Sequence, residues 1–395
     1  MFKNLGPGFF VTAAFIGPGT IITCAVSGIS FGVSMIWALV LGIGVTLLFQ
    51  EMAARLAIIN KQGLSESIVS YSPNKVVRVV LSLLVILSIL VGNAAYESGN
   101  LIGAKIGLEF LLGIEDKQVL YIIVSIVFLL LLIGKHGLLE KVLVAMVFLM
   151  GIVFMVLLFI SDLSSLRLDP SSQLTSNSYL ISSLALIGTT VVPYNLFLHS
   201  RSIQEKWGQD ARLSLVRRDL FVSVFTGGLI SISILLVFAV SNSGIQVIDG
   251  LRSLTVGLET KYGPWAKYLV SLGVFSAGIT SSLTAPLAAS FAVSGLLDID
   301  GKKKKKTEQA TALLVLLFGT LAGFSGLKPI VLIQMAQVAN ALLLPILAII
   351  LMMLLNDRKL NVSQRNTPLL NLLGLVVVVF LLVLSLKSMI SVLGE

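Results

Sequence analysis

The feature that most constrains this chain is a series of apolar runs about twenty residues long. An α-helix of that length crosses the hydrocarbon core of a bilayer, which is roughly 30 Å thick. Of the 395 residues, 56% are hydrophobic and 12% are charged, and the mean hydropathy is +1.00. Soluble domains carry roughly 25% charged residues, so this composition excludes a soluble enzyme, a disordered chain and a secreted disulfide scaffold. The single cysteine, Cys24, has no partner for an internal disulfide.

Eleven of these runs are predicted to span the membrane. They are continuously apolar rather than alternating, which predicts helices because a helix satisfies its own backbone hydrogen bonds in lipid. The connections are short, so we expect one transmembrane domain covering residues 1–395. The predicted spans, numbered in chain order, are 8–29, 34–58, 78–104, 119–134, 140–161, 179–200, 219–241, 265–296, 310–325, 329–355 and 368–393.

The basic residues predict the orientation of the chain. With a cytoplasmic N-terminus, most of the 28 Lys and Arg residues fall in cytoplasmic segments, as the positive-inside rule requires. The run Lys302–Lys306 is then an orientation signal in a cytoplasmic loop, with anionic-lipid binding as the weaker alternative. This accounts for the net charge of +9 without a nucleic-acid partner. We expect a multi-pass protein of the cell (plasma or inner) membrane, N-terminus inside and C-terminus outside, with the lipid bilayer and no obligatory protein as partner.

Spans 1 and 6 are interrupted near their centres. Span 1 contains Gly-Pro-Gly-Thr at 17–20, and span 6 contains Gly-Thr-Thr-Val-Val-Pro-Tyr-Asn at 188–195. Proline removes a hydrogen-bond donor, and glycine permits non-helical backbone. Interrupted helices at corresponding positions are typical of inverted-repeat transporters, whose substrate site lies at the breaks. The repeats would cover about 8–161 and 179–355, with an extra helix at about 368–393. The alternative is that both prolines only kink their helices.

Short motifs along the chain carry a family resemblance. They are Leu5-Gly6-Pro7-Gly8-Phe9, Gly17-Pro18-Gly19-Thr20, Phe31-Gly32, Gln50-Glu51-Met52-Ala53-Ala54-Arg55-Leu56, Val192 to Ser200, Gly278 to Thr284 and Leu287-Ala288. Together they resemble the NRAMP family of divalent-metal transporters. The resemblance implies an all-α, leucine-transporter-type fold with an inverted 5+5 helix repeat and an eleventh helix. It also implies alternating access around the broken helices 1 and 6.

The chain departs from the family pattern at the residues that hold the metal. Manganese and iron carriers of the family have Asp-Pro-Gly-Asn in helix 1 and Met-Pro-His in helix 6. By the resemblance, the carboxylate, amide and thioether ligands are missing here, so none of the usual transition-metal ligands is predicted. The residues in place of the helix 1 Asp and Asn, the helix 6 Ala, Met and His, and the helix 10 Gln are Gly17, Thr20, Thr189, Val192, Tyr194 and Leu343.

The altered site predicts a different substrate. Hydroxyl groups and the N–H groups at the start of a half-helix can donate hydrogen bonds to an anion, whereas a dehydrated divalent cation needs a compensating charge. We therefore expect secondary transport of a small anion such as bicarbonate or a short carboxylate. The alternatives are a divalent cation (magnesium or a manganese-type ion), with or without proton coupling, and a non-transporting sensor of the same fold. The predicted substrate-binding residues are Gly17, Gly19, Thr20, Thr189, Thr190, Val192 and Tyr194.

Symport with sodium is the predicted form of coupling, and no other cofactor is expected. Transporters that share this fold often pair helix 8 hydroxyls with carbonyls of the helix 1 break, so the predicted sodium-binding residues are Gly17, Thr280, Ser281 and Thr284. The alternative is that these hydroxyls are ordinary helix–helix contacts. No phosphate-binding loop, metalloprotease motif or serine-hydrolase motif occurs, so the sequence predicts no catalytic residue and no enzyme.

An acidic residue, Glu97, lies well inside predicted span 3. Ionisable groups within the membrane are functional candidates by default. By the resemblance, Glu97 corresponds to an Asp of the family's proton route, and Asn100 stands where the family has a Glu. These two residues are therefore candidates for proton transfer or gating, and a purely structural hydrogen bond is the alternative for Glu97.

Overall fold

The computed structural model describes residues 6–71, 74–114, 118–133, 136–166, 177–241, 251–299, 301–325 and 343–393. Helices account for the regular structure of these residues, which confirms the predicted all-α class. The helices are α1 (Gly8–Phe15), α2 (Pro18–Phe31), α3 (Ile36–Asn60), α4 (Leu64–Tyr71), α5 (Lys75–Leu112), α6 (Gln118–Ile133), α7 (His136–Ile160), α8 (Asn177–Thr190), α9 (Tyr194–Lys206), α10 (Leu213–Val240), α11 (Leu251–Tyr262), α12 (Pro264–Leu296), α13 (Gly301–Phe324), α14 (Leu343–Leu355) and α15 (Pro368–Leu393).

Each predicted span overlaps a helix or a broken pair of helices. Span 1 is the pair α1 and α2, span 6 is the pair α8 and α9, and the other spans coincide with α3, α5, α6, α7, α10, α12, α13, α14 and α15. The first part of span 10, residues 329–342, lies outside the described residues. The helices α4 and α11 are not among the predicted spans, because they are short, lie in connections and carry polar residues.

The run Lys302–Lys306 lies in the first turns of α13 and not in a loop, which corrects the prediction. Lysine has a high helix propensity, so five lysines in a row do not end a helix. Their positive charges lie at the positive end of the helix dipole, which is unfavourable. An ion pair between Lys304 and Glu66 of α4, at 2.6 Å, offsets part of that cost.

Large apolar side chains cover much of the outer surface of the described helices. On α5, for example, Val76, Leu87 and Val91 are exposed, and Phe159 near the end of α7 is 91% exposed. Soluble monomers rarely expose contiguous apolar patches beyond a few hundred Å². Seven segments in the described part of the chain are long and apolar enough to cross a membrane, so this surface is suited to lipid.

The most buried of these seven segments is α12, which packs closely against α5. A Cβ atom added at Gly278 of α12 would lie 2.5 Å from the backbone nitrogen of Ala104. One added at Gly107 of α5 would lie 2.6 Å from the backbone nitrogen of Phe275. Small residues at such contacts let membrane helices pack backbone against backbone. This contact holds the middle of α5 beside the hydroxyl-rich stretch of α12.

The half-helix α1 is anchored to α10 at its N-terminus. Asp219 of α10 accepts hydrogen bonds from the backbone N–H groups of Gly6 and Gly8, each at 2.7 Å. One turn later, Thr12 donates to the carbonyl oxygen of Ser223 at 2.6 Å. A Cβ atom at Gly6 would lie 2.4 Å from Asp219 Oδ2, so only glycine permits this approach. The Gly6-Pro7-Gly8 motif therefore fixes the position of α1, whose other end forms part of the break in span 1.

Candidate functional site

Both predicted breaks are present in the structure. The half-helix α2 begins at Pro18, after Gly17 in an extended conformation (φ −100°, ψ 179°). The half-helix α9 begins at Tyr194, directly after Pro193. Proline suits a helix start because the N–H group that it lacks would have no helical partner there. The prolines therefore restart the two helices, and each break leaves backbone groups without a partner in their own helix.

A cavity lies between the two breaks, beside the middle of α5 and α12. Six of the predicted substrate-binding residues line it: Gly17, Gly19, Thr20, Thr189, Val192 and Tyr194. Two residues predicted for coupling or gating, Ser281 and Asn100, line it as well. The other lining residues are Ala14, Phe15 and Tyr96. The fold thus brings residues from both repeats to one point.

One aromatic wall of the cavity is absent from the sequence prediction. The rings of Tyr96 and Tyr194 meet edge to face, with centroids 6.0 Å apart and 75° between their planes. Tyr96 carries no motif of its own, and its only signal is its place next to Glu97 on α5. Ala14 and Phe15 precede the break, and their part in the cavity follows from where α1 ends.

Thr190 does not line the cavity, and its role in substrate binding stays a prediction. Its hydroxyl donates to the carbonyl oxygen of Ile187 at 2.8 Å and lies against Gly42 of α3, where an added Cβ atom would be 2.1 Å from it. Its own carbonyl oxygen accepts a hydrogen bond from Thr46 at 2.8 Å. Thr190 therefore fastens the end of α8 to α3.

The hydroxyl groups of four lining residues donate their hydrogens to backbone carbonyls. Three of these bonds reach consecutive carbonyl oxygens near the end of α1: Ser281 to Ala13 at 3.4 Å, Tyr194 to Ala14 at 3.4 Å, and Thr20 to Phe15. Thr189 donates to Leu186 of its own helix at 2.9 Å. A hydroxyl has one hydrogen and two lone pairs, so each of these oxygens has only lone pairs left for a ligand.

The walls of the cavity carry no formal charge. None of its lining residues, all within the described part of the chain, is Asp, Glu, Lys, Arg or His. No group of three or more His, Cys, Asp or Glu side chains placed to hold a metal occurs among the described residues. The electrostatic field therefore comes from half-helix ends: the negative ends of α1 and α8 and the positive ends of α2 and α9.

The residues predicted to bind sodium do not all meet at the cavity. Gly17 and Ser281 adjoin each other, since a Cβ atom at Gly17 would lie 2.8 Å from Ser281 Oγ. Thr280 and Thr284 do not line the cavity. Their hydroxyls donate within α12, to the carbonyl oxygens of Ala277 at 3.0 Å and of Ser281 at 3.3 Å. These two hydroxyls therefore bond within their own helix, and their role in coupling stays a prediction.

Glu97 and Asn100 lie on α5 at and beside the cavity. Asn100 lines the cavity, and its Oδ1 atom lies 3.5 Å from the Cβ position at Gly17. Glu97 does not line the cavity and is fully buried. Neither of its carboxyl oxygens has a hydrogen-bond partner among the described residues. The sequence predicts a role in proton transfer or gating for both residues, whereas in the structure only Asn100 lines the cavity.

The family model for natural resistance-associated macrophage protein-like (Nramp) proteins matches residues 8–391. A divalent metal cation transporter MntH of Mesorhizobium japonicum is 26% identical over 380 residues, covering 91% of this chain and 82% of that protein. The protein of the same name from Staphylococcus saprophyticus is 24% identical over 420 residues, covering 100% of this chain and 93% of its own length.

Solved structures share the fold at low sequence identity. A manganese transporter of Eremococcus coleocola superposes with a TM-score of 0.82 at 22% identity, covering 98% of this chain and 86% of that one. The transporter MhsT in complex with L-phenylalanine superposes with a TM-score of 0.65 at 14% identity, covering 97% of this chain and 98% of that one. These matches confirm the leucine-transporter-type fold with broken helices 1 and 6.

Proposed function

We propose that this chain, which belongs to the Nramp family of membrane transporters, is a secondary active transporter that carries a hard divalent cation with part of its hydration shell. Members of this family are transporters and not enzymes. The chain is a multi-pass membrane protein, and the ion that it carries is the part that we propose. The proposal places the cargo in the cavity between the two breaks.

One observation carries this choice of cargo: three lining hydroxyl groups lie against backbone carbonyl oxygens of α1, which can only accept hydrogen bonds. The hydroxyl groups donate to three consecutive carbonyls of α1, from Ser281, Tyr194 and Thr20. A ligand in the cavity therefore meets the lone pairs of the hydroxyl oxygens. To bind an anion, each hydroxyl must first leave its carbonyl, and each lost hydrogen bond costs about 1 kcal/mol. The relatives named above as divalent metal cation transporters support the same choice.

The uncharged walls favour a hard ion over a transition metal. Manganese and iron sites use carboxylate, imidazole, carbonyl or sulfur ligands, and of these only backbone carbonyl oxygens lie at the cavity among the described residues. Magnesium dehydrates reluctantly and usually keeps several waters. Hydroxyl and carbonyl oxygens can hold such an ion through its waters without matching its full charge. We therefore rank magnesium ahead of manganese, the ion named for the Eremococcus coleocola transporter.

A small anion such as bicarbonate is the second candidate, and sodium symport belongs with it. No carboxylate lies among the described lining residues, which favours this candidate. The N–H groups of the first turn of α2 also point toward the break and could bind an anion. An anion would require the hydroxyls of Thr20 and Tyr194 to rotate away from α1.

The orientation of the chain is also proposed and rests on its basic residues. With the N-terminus in the cytoplasm of a cell membrane and the C-terminus outside, most Lys and Arg side chains face the cytoplasm, as the positive-inside rule requires. Labelling of a cysteine introduced at either terminus of a Cys24→Ser variant, in intact and permeabilised cells, tests this orientation. Labelling of both termini from the same side contradicts it.

Ion flux into proteoliposomes tests the proposed cargo. Fluorescent indicators inside the vesicles follow magnesium and manganese, internal pH follows bicarbonate, and each flux is measured with and without a sodium gradient. We expect saturable magnesium uptake and no bicarbonate uptake. Bicarbonate uptake without divalent flux identifies the second candidate, and a complete absence of flux supports the sensor alternative.

A matched pair of variants on α2 links that flux to the cavity. Thr20→Val removes a lining hydroxyl, and we expect about a tenfold higher half-saturating concentration, which corresponds to about 1.4 kcal/mol. Thr23→Val removes a hydroxyl that donates to Gly19 of its own helix at 2.8 Å and does not line the cavity. Equal effects of the two variants would place the cargo elsewhere.

A further inference from the structure

A second polar site lies behind the cavity, centred on the side chain of Glu97. Its carboxyl group is fully buried, and neither oxygen has a hydrogen-bond partner or an ion-pair partner among the described residues. Gly319 of α13 packs directly against it, because a Cβ atom there would lie 2.5 Å from Glu97 Cγ. This packing separates the carboxyl group from the lipid on that side.

The groups that adjoin Glu97 also lack partners. Ser282 of α12 and Asn100 of α5 are the polar side chains next to the carboxyl group. Both are buried and lie close enough to interact with the carboxyl group, but neither Ser282 Oγ nor Asn100 Nδ2 makes a regular hydrogen bond within the described ranges. Buried polar atoms are almost always paired, so this cluster of groups without regular hydrogen bonds is a candidate place for a ligand.

The backbone of α12 also leaves one oxygen atom of Ser282 without its helical partner. Pro286 lies inside the helix and has no N–H group, so the carbonyl oxygen of Ser282, four residues earlier, loses its usual helical partner. Ser282 therefore offers both a hydroxyl and a carbonyl oxygen. The amide of Asn100 can turn about its terminal bond and present its oxygen instead of its nitrogen.

We propose that Glu97, Ser282 and Asn100 form a binding site for a monovalent metal cation such as sodium. A buried carboxylate without compensation is strongly unfavourable, so the group needs either a proton or a cation. A proton neutralises the Glu97 carboxyl group but supplies nothing for the free carbonyl oxygen of Ser282. A cation takes the carboxylate, the two oxygens of Ser282 and the amide oxygen of Asn100 together, and carbonyl oxygens beside a helix irregularity are typical sodium ligands in transporters of this kind.

Asn100 connects this cation site to the cargo cavity. Its side chain lines the cavity beside Gly17 and also adjoins Glu97. The direction of the coupling rests on the proposed function. Because Asn100 belongs to both sites, a divalent cargo and the monovalent cation repel each other and compete for binding. An anionic cargo would instead strengthen the binding of the monovalent cation.

Thermal unfolding of the full chain in detergent measures cation binding without any cargo. Sodium, potassium or lithium replaces choline at constant ionic strength, and a bound cation raises the unfolding temperature in a saturable way. We expect Glu97→Gln to abolish this response. Ser282→Ala should raise the half-saturating concentration about tenfold or more, because a hydrogen bond or contact to a charged group is lost.

Two control variants lie on the same helices. Glu109→Gln removes a carboxylate of α5 that pairs with Lys105 at 2.9 Å. Ser276→Ala removes a hydroxyl of α12 that donates to Leu272 at 2.8 Å. Both should keep the wild-type response to the cation. If Glu97→Gln does not fold, Ser282→Ala and its control carry the test.

Two results would overturn the proposal. One is a cation response that is the same in the wild type and in Ser282→Ala. The other is a wild-type protein that responds to pH but to none of the three cations, which would identify a proton site. Failure of magnesium transport affects neither measurement, because the binding assay contains no cargo.

Discussion

Replacing Gly17 by aspartate tests the sign of the cargo directly. The side chain would enter the cavity, since a Cβ atom at this position lies 2.8 Å from Ser281 Oγ and 3.5 Å from Asn100 Oδ1. The Ser281 hydroxyl must then rotate and give up its long bond to Ala13, at 3.4 Å, for about 1 kcal/mol. The substitution thus places a carboxylate in a cavity whose described walls are uncharged.

The electrostatic effect of that carboxylate is larger than its steric cost. Two unit charges about 4 Å apart interact by about 4 kcal/mol at an effective dielectric constant of about 20, and a divalent ion doubles this to about 8 kcal/mol. Loss of hydration at the new carboxylate cancels several kcal/mol of that gain. We therefore expect at least a tenfold lower half-saturating concentration for magnesium. A monovalent anion would instead be repelled by about 4 kcal/mol, close to a thousandfold loss.

Concentration-dependent flux into proteoliposomes measures both effects. Gly17→Asn is the matched control, because it has the size of the aspartate variant without its charge. Equal magnesium affinities in the two variants would show that position 17 does not contact the cargo. Bicarbonate flux that survives in the asparagine variant and disappears in the aspartate variant would refute the cation proposal and establish the anion.

Two further substitutions test how the half-helices are held. Asp219→Asn removes the charge and one acceptor from the hydrogen bonds to the start of α1, and we expect the free energy of unfolding to fall by about 2 kcal/mol. Thermal unfolding in detergent measures this loss, and an unchanged unfolding temperature would contradict the anchoring role. Gly28→Ala places a Cβ atom 2.3 Å from the carbonyl oxygen of Leu235 on α10 and should cost roughly 1–3 kcal/mol through overpacking. Gly44→Ala is the control, since no atom from outside its own helix lies within 4 Å of that Cβ position. Equal unfolding temperatures for the two alanine variants would show that α2 and α10 do not pack as described.

The sequence by itself determined the membrane class, the spans and the two breaks. These features depend on local composition: apolar runs of fixed length, and proline with glycine inside two of them. The family motifs and the changes at Gly17, Thr20 and Tyr194 are also local, and they located most of the cavity lining. The lysine run was assigned to a loop instead of a helix, because helix propensity and charge act in opposite directions there. Thr190 was expected at the cavity, which it does not line.

The tertiary structure decided which side chains face the cargo and what they offer it. Thr189 and Thr190 are adjacent in sequence, but successive helical residues point about 100° apart, so one lines the cavity and the other fastens α8 to α3. The direction of the hydroxyl hydrogens depends on carbonyls that α1 brings from a distant part of the chain. The same holds for the unpaired groups around Glu97, which meet Ser282 only because glycines let α5 and α12 pack in contact.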